Sequence, residues 1–202
     1  GLPSETCSGL SEPDHPFPRP TVHERLDRAL AKIKPDLVFA CYGMNDGIYY
    51  PFSEERFVAY QKGIQLLIRK VKATGAKLVL ITPPPFDPLP LKKKGKLLPA
   101  GREKYAWFEI YEGYDQVLDR YSKWLATQAD KVDGFVDVRT PILEYTELAR
   151  MKQMDFTMSN DGVHIDKRGH EIFANALLEH LKLPGTKGID SKLLELVEGR
   201  HK

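Results

Sequence analysis

Three features are scarce in this 202-residue sequence: cysteine, an excess of charge of one sign, and long apolar runs. The two cysteines, Cys7 and Cys41, are too few for a disulfide framework, and we interpret them as buried free thiols rather than a bridge. The net charge of +2 is far from that of a nucleic-acid-binding protein, so we expect no nucleic-acid partner. No apolar run is long enough to predict a membrane span.

What remains is the composition of an ordinary globular protein, with 42% hydrophobic and 29% charged residues. A chain of this length fits one domain, so we predict a single domain over residues 1–202, in which residues 182–202 form a C-terminal tail. The one basic run, "LKKKGK" at residues 91–96, is interpreted as a solvated loop, with a phosphate or membrane patch as the alternative.

Apolar runs and amphipathic segments alternate along the chain. The predicted strands are residues 36–42, 76–82 and 134–138. The predicted helices are residues 21–34, 53–75, 111–130, a segment after Pro141, and residues 167–181. A long loop is predicted over residues 83–103. Strands that are almost continuously apolar are typical of a parallel sheet covered by helices on both faces, so the pattern predicts an α/β protein with strands buried on both sides.

The segment "DGVH" places Asp161 and His164 three residues apart in a turn that contains Gly162. A histidine that acts as general base needs a carboxylate on one ring nitrogen, because the other nitrogen must face the reacting hydroxyl. The spacing therefore indicates a base and its orienting acid. The alternative is a plain turn in which His164 only packs.

The segment "GMND" follows the first predicted strand, at the edge of a parallel sheet where functional loops gather. Gly43 permits a close approach of the backbone, and the Asn45 amide can donate to a developing oxyanion, while Asp46 braces the loop. The alternative is a turn that satisfies only its own backbone. The two motifs together favour acyl-transfer chemistry.

Two further groups of side chains are candidate site residues. A metal site made of Asp161, His164 and His170 lacks a third convergent ligand if His170 caps or packs the last helix, so we expect no metal. Five aromatic residues either form a wall of the site or pack in the core: Tyr49, Tyr50, Phe52, Phe86 and Trp107.

With these motifs the sequence resembles the SGNH (GDSL-type) hydrolases, whose G-x-N-D and D-x-x-H blocks match "GMND" and "DGVH". The resemblance implies a flavodoxin-like three-layer α/β/α sandwich with a parallel central sheet. It also implies ester hydrolysis through an acyl-serine intermediate, without metal or cofactor. In that role His164 is the general base, Asp161 orients it, and Asn45 donates to the oxyanion.

The second block of the family usually contains a glycine in a stretch such as "SGDT", and here "PSET" stands in its place. Ser4 takes the glycine position, with Gly1 as the nearest alternative. The oxyanion donor of this block is a backbone N–H, which a serine also supplies.

The resemblance further implies a small-molecule or carbohydrate ester as substrate, with removal of an acetyl group from a sugar as the preferred reaction. It favours a secreted or periplasmic location. The rival interpretation is a non-catalytic carbohydrate- or partner-binding domain that has lost its nucleophile.

The Gly-Asp-Ser block that carries the nucleophilic serine does not occur in the sequence. The serines that are present have other expected roles: Ser53 as a helix cap, Ser159 in the turn of the base, and Ser4, Ser8 and Ser11 in the second-block loop. The first predicted strand would also be a bare apolar sheet edge, which invites aggregation. We therefore expect an N-terminally incomplete domain whose first strands, with the nucleophile, precede Gly1.

Sequencing of the gene upstream of the codon for Gly1 tests this expectation. It should encode an apolar strand that ends in a turn resembling Gly-Asp-Ser. An open reading frame that starts at Gly1 would contradict it.

Overall fold

The computed structural model describes residues 2–184, so most of the predicted C-terminal tail lies outside the described residues. Its elements in chain order are α1 (Leu26–Ile33), β1 (Leu37–Cys41), α2 (Glu54–Lys72), β2 (Lys77–Ile81), α3 (Leu89–Lys93), β3 (Leu97–Leu98), β4 (Ile110–Tyr111), α4 (Tyr114–Ala126), β5 (Gly134–Val136), α5 (Arg139–Lys152) and α6 (Lys167–His180). None of the helices in residues 2–184 has the length and apolarity that a bilayer crossing requires.

The central sheet contains β1, β2 and β5 in that order, and all of its pairs are parallel. Side chains of a strand alternate between its faces, which divides the core in two. On one face, Leu78 and Leu80 of β2 are fully buried in a cluster with residues of α1, α2 and α4. On the other, Val79 and Ile81 pack with Phe173 of α6. The predicted three-layer α/β/α arrangement is confirmed.

The helix α2 shows how the sequence sets one of these layers. Ser53 caps it, since its side chain accepts a hydrogen bond from the N–H of Arg56 at 3.3 Å. Apolar side chains then recur at helical spacing on one face, and the buried ones are Tyr60, Ile64, Leu67, Ile68 and Val71. These residues agree with the predicted inward face.

The prediction that β1 is buried on both faces is wrong. Leu37 and Phe39 are 37% and 43% exposed, and Cys41 is exposed as well, so Cys41 is not the buried thiol that we expected. These side chains are exposed because β1 lies at the edge of the sheet and α6 packs on β2 and β5 instead. Cys7 is buried as predicted, and both cysteines are free.

The predicted loop at residues 83–103 contains the short helix α3 and the strand β3. Strand β3 pairs with β4, so the helix predicted from residue 111 begins only at Tyr114 and ends at Ala126. The N–H groups of Tyr111 and Glu112 donate to Tyr49 and Leu98 carbonyls, which commits this backbone to extended pairing. Tertiary pairing thus overrides the local helical pattern.

The first predicted helix is also shorter than expected. A 3-10 turn over Val22–Glu24 precedes α1, and Thr21 caps that turn by accepting a hydrogen bond from the N–H of His23. Of the predicted inward residues, Val22, Leu26 and Leu30 are buried, whereas Ile33 is 71% exposed.

Two substitutions in α1 test this difference between pattern and structure. Leu30→Ala should lower the free energy of unfolding by about 2–3 kcal/mol, because Leu30 is only 6% exposed and its removal leaves a cavity. Ile33→Ala, the matched control, should change it by less than about 0.5 kcal/mol. Urea unfolding followed by circular dichroism measures both. Equal losses would show that Ile33 packs as the sequence pattern predicts.

Candidate active site

Loops from separate parts of the chain meet around a cavity of about 660 Å³ at the carboxyl end of the sheet. Its lining includes all four residues that the sequence singled out: Ser4, Asn45, Asp161 and His164. They come from the segment before α1, the turn after β1 and the turn before α6. Parallel strands end at one edge of the sheet, which is why residues so distant in sequence converge there.

Asp161 and His164 are in direct contact. The Nδ1 of His164 lies 2.7 Å from Oδ2 of Asp161. The other carboxylate oxygen, Oδ1, accepts hydrogen bonds from the N–H groups of Val163 and His164 at 2.9 and 2.8 Å. The turn therefore holds the carboxylate in one orientation, and with it the imidazole.

The charge state of Asp161 follows from these contacts. Partial burial raises the pKa of the carboxyl, but hydrogen bonds from the backbone and side chain of His164 and from the backbone of Val163 outweigh it and lower the pKa to about 2. The His164 side chain is 85% exposed, and its Nε2 has no hydrogen-bond partner among the described residues. The arrangement is an ionised acid, an oriented imidazole and a ring nitrogen that faces open space.

The turn of Asp161 and His164 is fixed to the loop after β2 through Asp87. The Asp87 N–H donates to the carbonyl of Gly162 at 2.9 Å, and its carboxylate accepts from Arg150 at 2.8 Å. Gly162 has φ +79°, and a Cβ there would lie 2.5 Å from the Asp87 carbonyl oxygen. Position 162 therefore requires glycine for both backbone conformation and space.

Asn45 faces the cavity from the turn after β1. Its Nδ2 donates to the Glu5 carbonyl at 3.3 Å, and its Oδ1 accepts from the Tyr49 hydroxyl at 2.9 Å. These two bonds fix the orientation of the amide and leave its second N–H without a partner among residues 2–184. Asp46, next to it, accepts from the N–H groups of Cys7 and Ser8 and so braces the loop as expected.

Ser4 adopts φ +59°, a left-handed conformation that glycine adopts most readily. The Ser4 hydroxyl lies 3.1 Å from Nε2 of His15, and its carbonyl accepts from Arg19 at 3.2 Å.

Several supporting residues escaped the sequence interpretation. Arg19 is 5% exposed and makes a two-bond ion pair with Glu12 beneath the Ser4 loop. Glu5 accepts two bonds from Arg25 at 2.6 Å. A buried charge needs a partner of opposite sign, but this segment contains several charged residues and no spacing rule identifies which of them pair.

The turn after β1 also carries backbone strain that the sequence did not indicate. Ile48 and Tyr49 both have positive φ values, of 46° and 63°. For a β-branched residue such as Ile48 this conformation is rare, and strain of this kind concentrates at functional sites.

No serine hydroxyl among the described residues contacts Nε2 of His164. Ser53 caps α2, and the Ser159 hydroxyl donates to Asp161 at 3.1 Å. Ser11 accepts from the N–H of Arg19, and Ser8 accepts from the N–H of Leu10.

The structure also bears on the predictions for the five aromatic residues, for His170 and for a metal site. Of the five aromatic residues, Tyr49 and Trp107 line the cavity. Phe86 is buried in the core, Tyr50 meets Tyr105 edge to face, and Phe52 packs on Phe57. His170 neither caps nor packs, because Asp166 caps α6 and His170 lies exposed at the cavity. Within residues 2–184 no three His, Cys, Asp or Glu side chains converge as a metal site would require.

The low pKa of Asp161 predicts an acid-sensitive contribution to stability. A carboxyl with a folded-state pKa of about 2 stabilises the fold above its unfolded pKa of about 3.9, and this contribution disappears as the pH falls through about 2. The free energy of unfolding of Asp161→Asn should therefore depend less on pH between about 4 and about 2 than that of the wild type. The difference should be small because solvent screens a half-exposed group.

Urea unfolding at a series of pH values measures this difference in pH dependence between the wild type and Asp161→Asn. The control is Asp36→Asn, an exposed aspartate whose side chain makes no hydrogen bond within the described residues. Identical pH profiles for wild type and Asp161→Asn would contradict the stabilised carboxylate.

Comparison with solved structures finds the same fold among esterases. Axe2, an acetylxylan esterase from Geobacillus stearothermophilus, has a TM-score of 0.58 and 20% identity, covering 86% of this chain and 74% of that chain. LAE5, an alpha/beta hydrolase enzyme from the metagenome of Lake Arreo, Spain, has a TM-score of 0.57 and 20% identity, covering 82% and 72%. A putative acylhydrolase from Bacteroides fragilis has a TM-score of 0.50 and 18% identity, covering 79% and 67%.

Identities this low show the fold alone, and no curated protein matches the sequence. The sequence profile of one family does match, over residues 7–172, a span that contains Asn45, Asp161 and His164. Because this span is most of the chain, the resemblance is confirmed: the chain belongs to the GDSL-like lipase/acylhydrolase family.

Proposed function

We propose that this protein is a serine ester hydrolase in which His164 is the general base. The observation that carries the proposal is the 2.7 Å contact between His164 Nδ1 and Asp161, with Nε2 left open toward a cavity that Asn45 also lines. Membership of an acylhydrolase family supports ester hydrolysis as the reaction.

In the proposed reaction a serine hydroxyl attacks the ester carbonyl while His164 Nε2 accepts its proton. Asp161 accepts the Nδ1–H bond and stabilises the imidazolium that forms. The tetrahedral oxyanion receives hydrogen bonds from the free N–H of Asn45 and from the backbone N–H of Ser4, each worth on the order of 3 kcal/mol. His164 then returns the proton to the leaving alcohol, and water releases the acyl group by the same steps.

We place the nucleophilic serine in a segment that precedes Gly1 in the gene product. The hydroxyls of Ser4, Ser8, Ser11, Ser53 and Ser159 have other contacts, and Ser122 is buried in α4 outside the cavity lining. Among the described residues, one edge of β1 has no partner strand, and the exposed apolar side chain of Phe39 lies on β1. A second cavity, of about 310 Å³, lies beside this strand and extends from Phe39 to Asn45. A parallel strand added at this edge would end at the same rim as Asn45 and His164, which is where a nucleophile is needed.

The preferred substrate is a small acyl ester of a carbohydrate, such as an acetylated sugar. Structural similarity to an acetylxylan esterase supports this choice, and the neighbouring structures include catalytic mutants of that enzyme with a serine or a histidine replaced by alanine. Exposed Trp107 and Phe108 at the cavity also suit a sugar, since aromatic faces pack on the C–H faces of pyranose rings.

The proposal is tested with the complete gene product, including the residues encoded before Gly1. It should hydrolyse p-nitrophenyl acetate and react covalently with a fluorophosphonate probe. His164→Ala should lower kcat/KM by at least about 10³-fold, because the serine loses its base. Asn45→Ala should lower kcat by about 10²–10³-fold, through loss of one oxyanion donor.

The matched control for His164→Ala is His180→Ala, a histidine at the far end of α6 and outside the cavity lining. It should leave kcat/KM unchanged. A folded wild-type protein that shows neither turnover nor labelling would overturn the esterase proposal and favour a non-catalytic binding domain.

A further inference from the structure

Part of the cavity wall is formed by the excursion between β2 and α4, residues 82–113, whose basic run at residues 91–96 is interpreted from sequence as a solvated loop. Six of its residues line the cavity, among them two lysines and two large aromatic residues: Lys94, Lys96, Trp107 and Phe108. Trp107 and Phe108 are 51% and 41% exposed, and their rings meet edge to face at 5.4 Å between centroids. Large apolar side chains that are this exposed to solvent at the rim of a cavity offer a surface on which a ligand can pack.

The two lysines give this wall a positive charge that no described carboxylate neutralises. Lys94 donates to the Asn160 carbonyl at 2.8 Å, and neither Lys94 nor Lys96 forms an ion pair among the described residues. The neighbouring Lys93 differs, because it pairs with Asp155 at 3.2 Å and lies outside the cavity.

The other charges of the lining do not offset these lysines. Asp161 is the only carboxylate that residues 2–184 contribute to the lining, and it is already hydrogen-bonded by His164 and by two backbone N–H groups. Arg19, also in the lining, is matched by buried Glu12. The cavity therefore has a surplus of positive charge beside an exposed aromatic pair.

We propose that the cavity selects esters of anionic carbohydrates, with the sugar ring packed on Trp107 and its carboxylate or sulfate facing Lys94 and Lys96. This rests on the proposed esterase function and specifies its substrate class. Exposed lysine–carboxylate pairs are individually weak, so the two lysines set only a preference for anionic over neutral sugars. Trp107 contributes affinity for both kinds of sugar. The basic run at residues 91–96 then has a recognition role.

The test is isothermal titration calorimetry of the complete gene product carrying His164→Ala, which removes the proposed general base, so that binding is measured without catalysis. The probes are xylotetraose, which is neutral, tetragalacturonate, which carries carboxylates, and a sulfated tetrasaccharide of carrageenan. At about 20 mM NaCl an anionic probe should bind about five- to tenfold more tightly than xylotetraose, and the preference should shrink at about 300 mM NaCl, where the Debye length is shorter. The two anionic probes distinguish a carboxylate site from a sulfate site.

A charge-matched pair of double variants separates the proposed contact from general attraction. Lys94→Gln with Lys96→Gln should abolish the preference for the anionic probe and leave xylotetraose binding unchanged. Lys92→Gln with Lys93→Gln removes the same charge from the same segment outside the cavity lining, and it should retain the preference. Trp107→Ala should weaken the binding of every probe at least about tenfold.

Equal affinities of the parent protein for neutral and anionic probes, or equal losses in the two lysine double variants, would overturn the proposed selectivity. Absence of binding to all three probes would overturn the carbohydrate subsite itself. Hydrolysis of p-nitrophenyl acetate by the protein with His164 intact is measured separately, so failure of the selectivity is distinguishable from failure of the esterase function.

Discussion

The site depends on one buried carboxylate, that of Asp46. Its Oδ1 accepts the N–H groups of Cys7 and Ser8 at 2.8 and 2.7 Å, and the residue is completely buried. These bonds tie the loop that carries Ser4 to the turn that carries Asn45, although 41 positions separate those two residues in the sequence. Burial raises the pKa of Asp46, and the backbone donors oppose that rise, so the same contacts hold the loops together and stabilise the charge.

Asp87 fixes the turn of His164, the proposed base, as Asp46 fixes the turn of Asn45, the proposed oxyanion donor. His164 is largely exposed and has little apolar packing to position it, so its geometry comes from the turn and from what the turn is attached to. The Asp87 N–H donates to Gly162 in that turn, and the Asp87 carboxylate accepts from Arg150 of α5 and from Thr157. Loops at the rim of a sheet lack a core of their own, and hydrogen-bonded carboxylates provide order where burial of apolar surface does not.

The sequence was sufficient to predict the sheet, the helices that cover it and the residues that meet at its rim, because each of these follows from a local pattern. The continuous apolar run of β2, which is buried on both faces, and the spacing of Asp161 and His164 are patterns of this kind. Predictions failed where a distant element decides the outcome. Phe39 is exposed because α6 packs elsewhere, and the helix before Tyr114 is displaced by pairing of β4 with β3. The partners Glu12 and Arg19 are invisible for the same reason, since no spacing rule links them.

The two walls of the cavity are held in place by different means, and the difference matches the role that we propose for each. Asn45 and His164 stand on turns fixed by several short hydrogen bonds, which suits the proposed acyl transfer because that reaction tolerates little displacement of base and oxyanion donors. The other wall, where we propose that a carbohydrate binds, presents Trp107 and long lysine side chains with few restraints, which suits a ligand that varies in linkage. Under these proposals, substitutions in the excursion between β2 and α4 should change the preferred sugar without disturbing the reacting geometry.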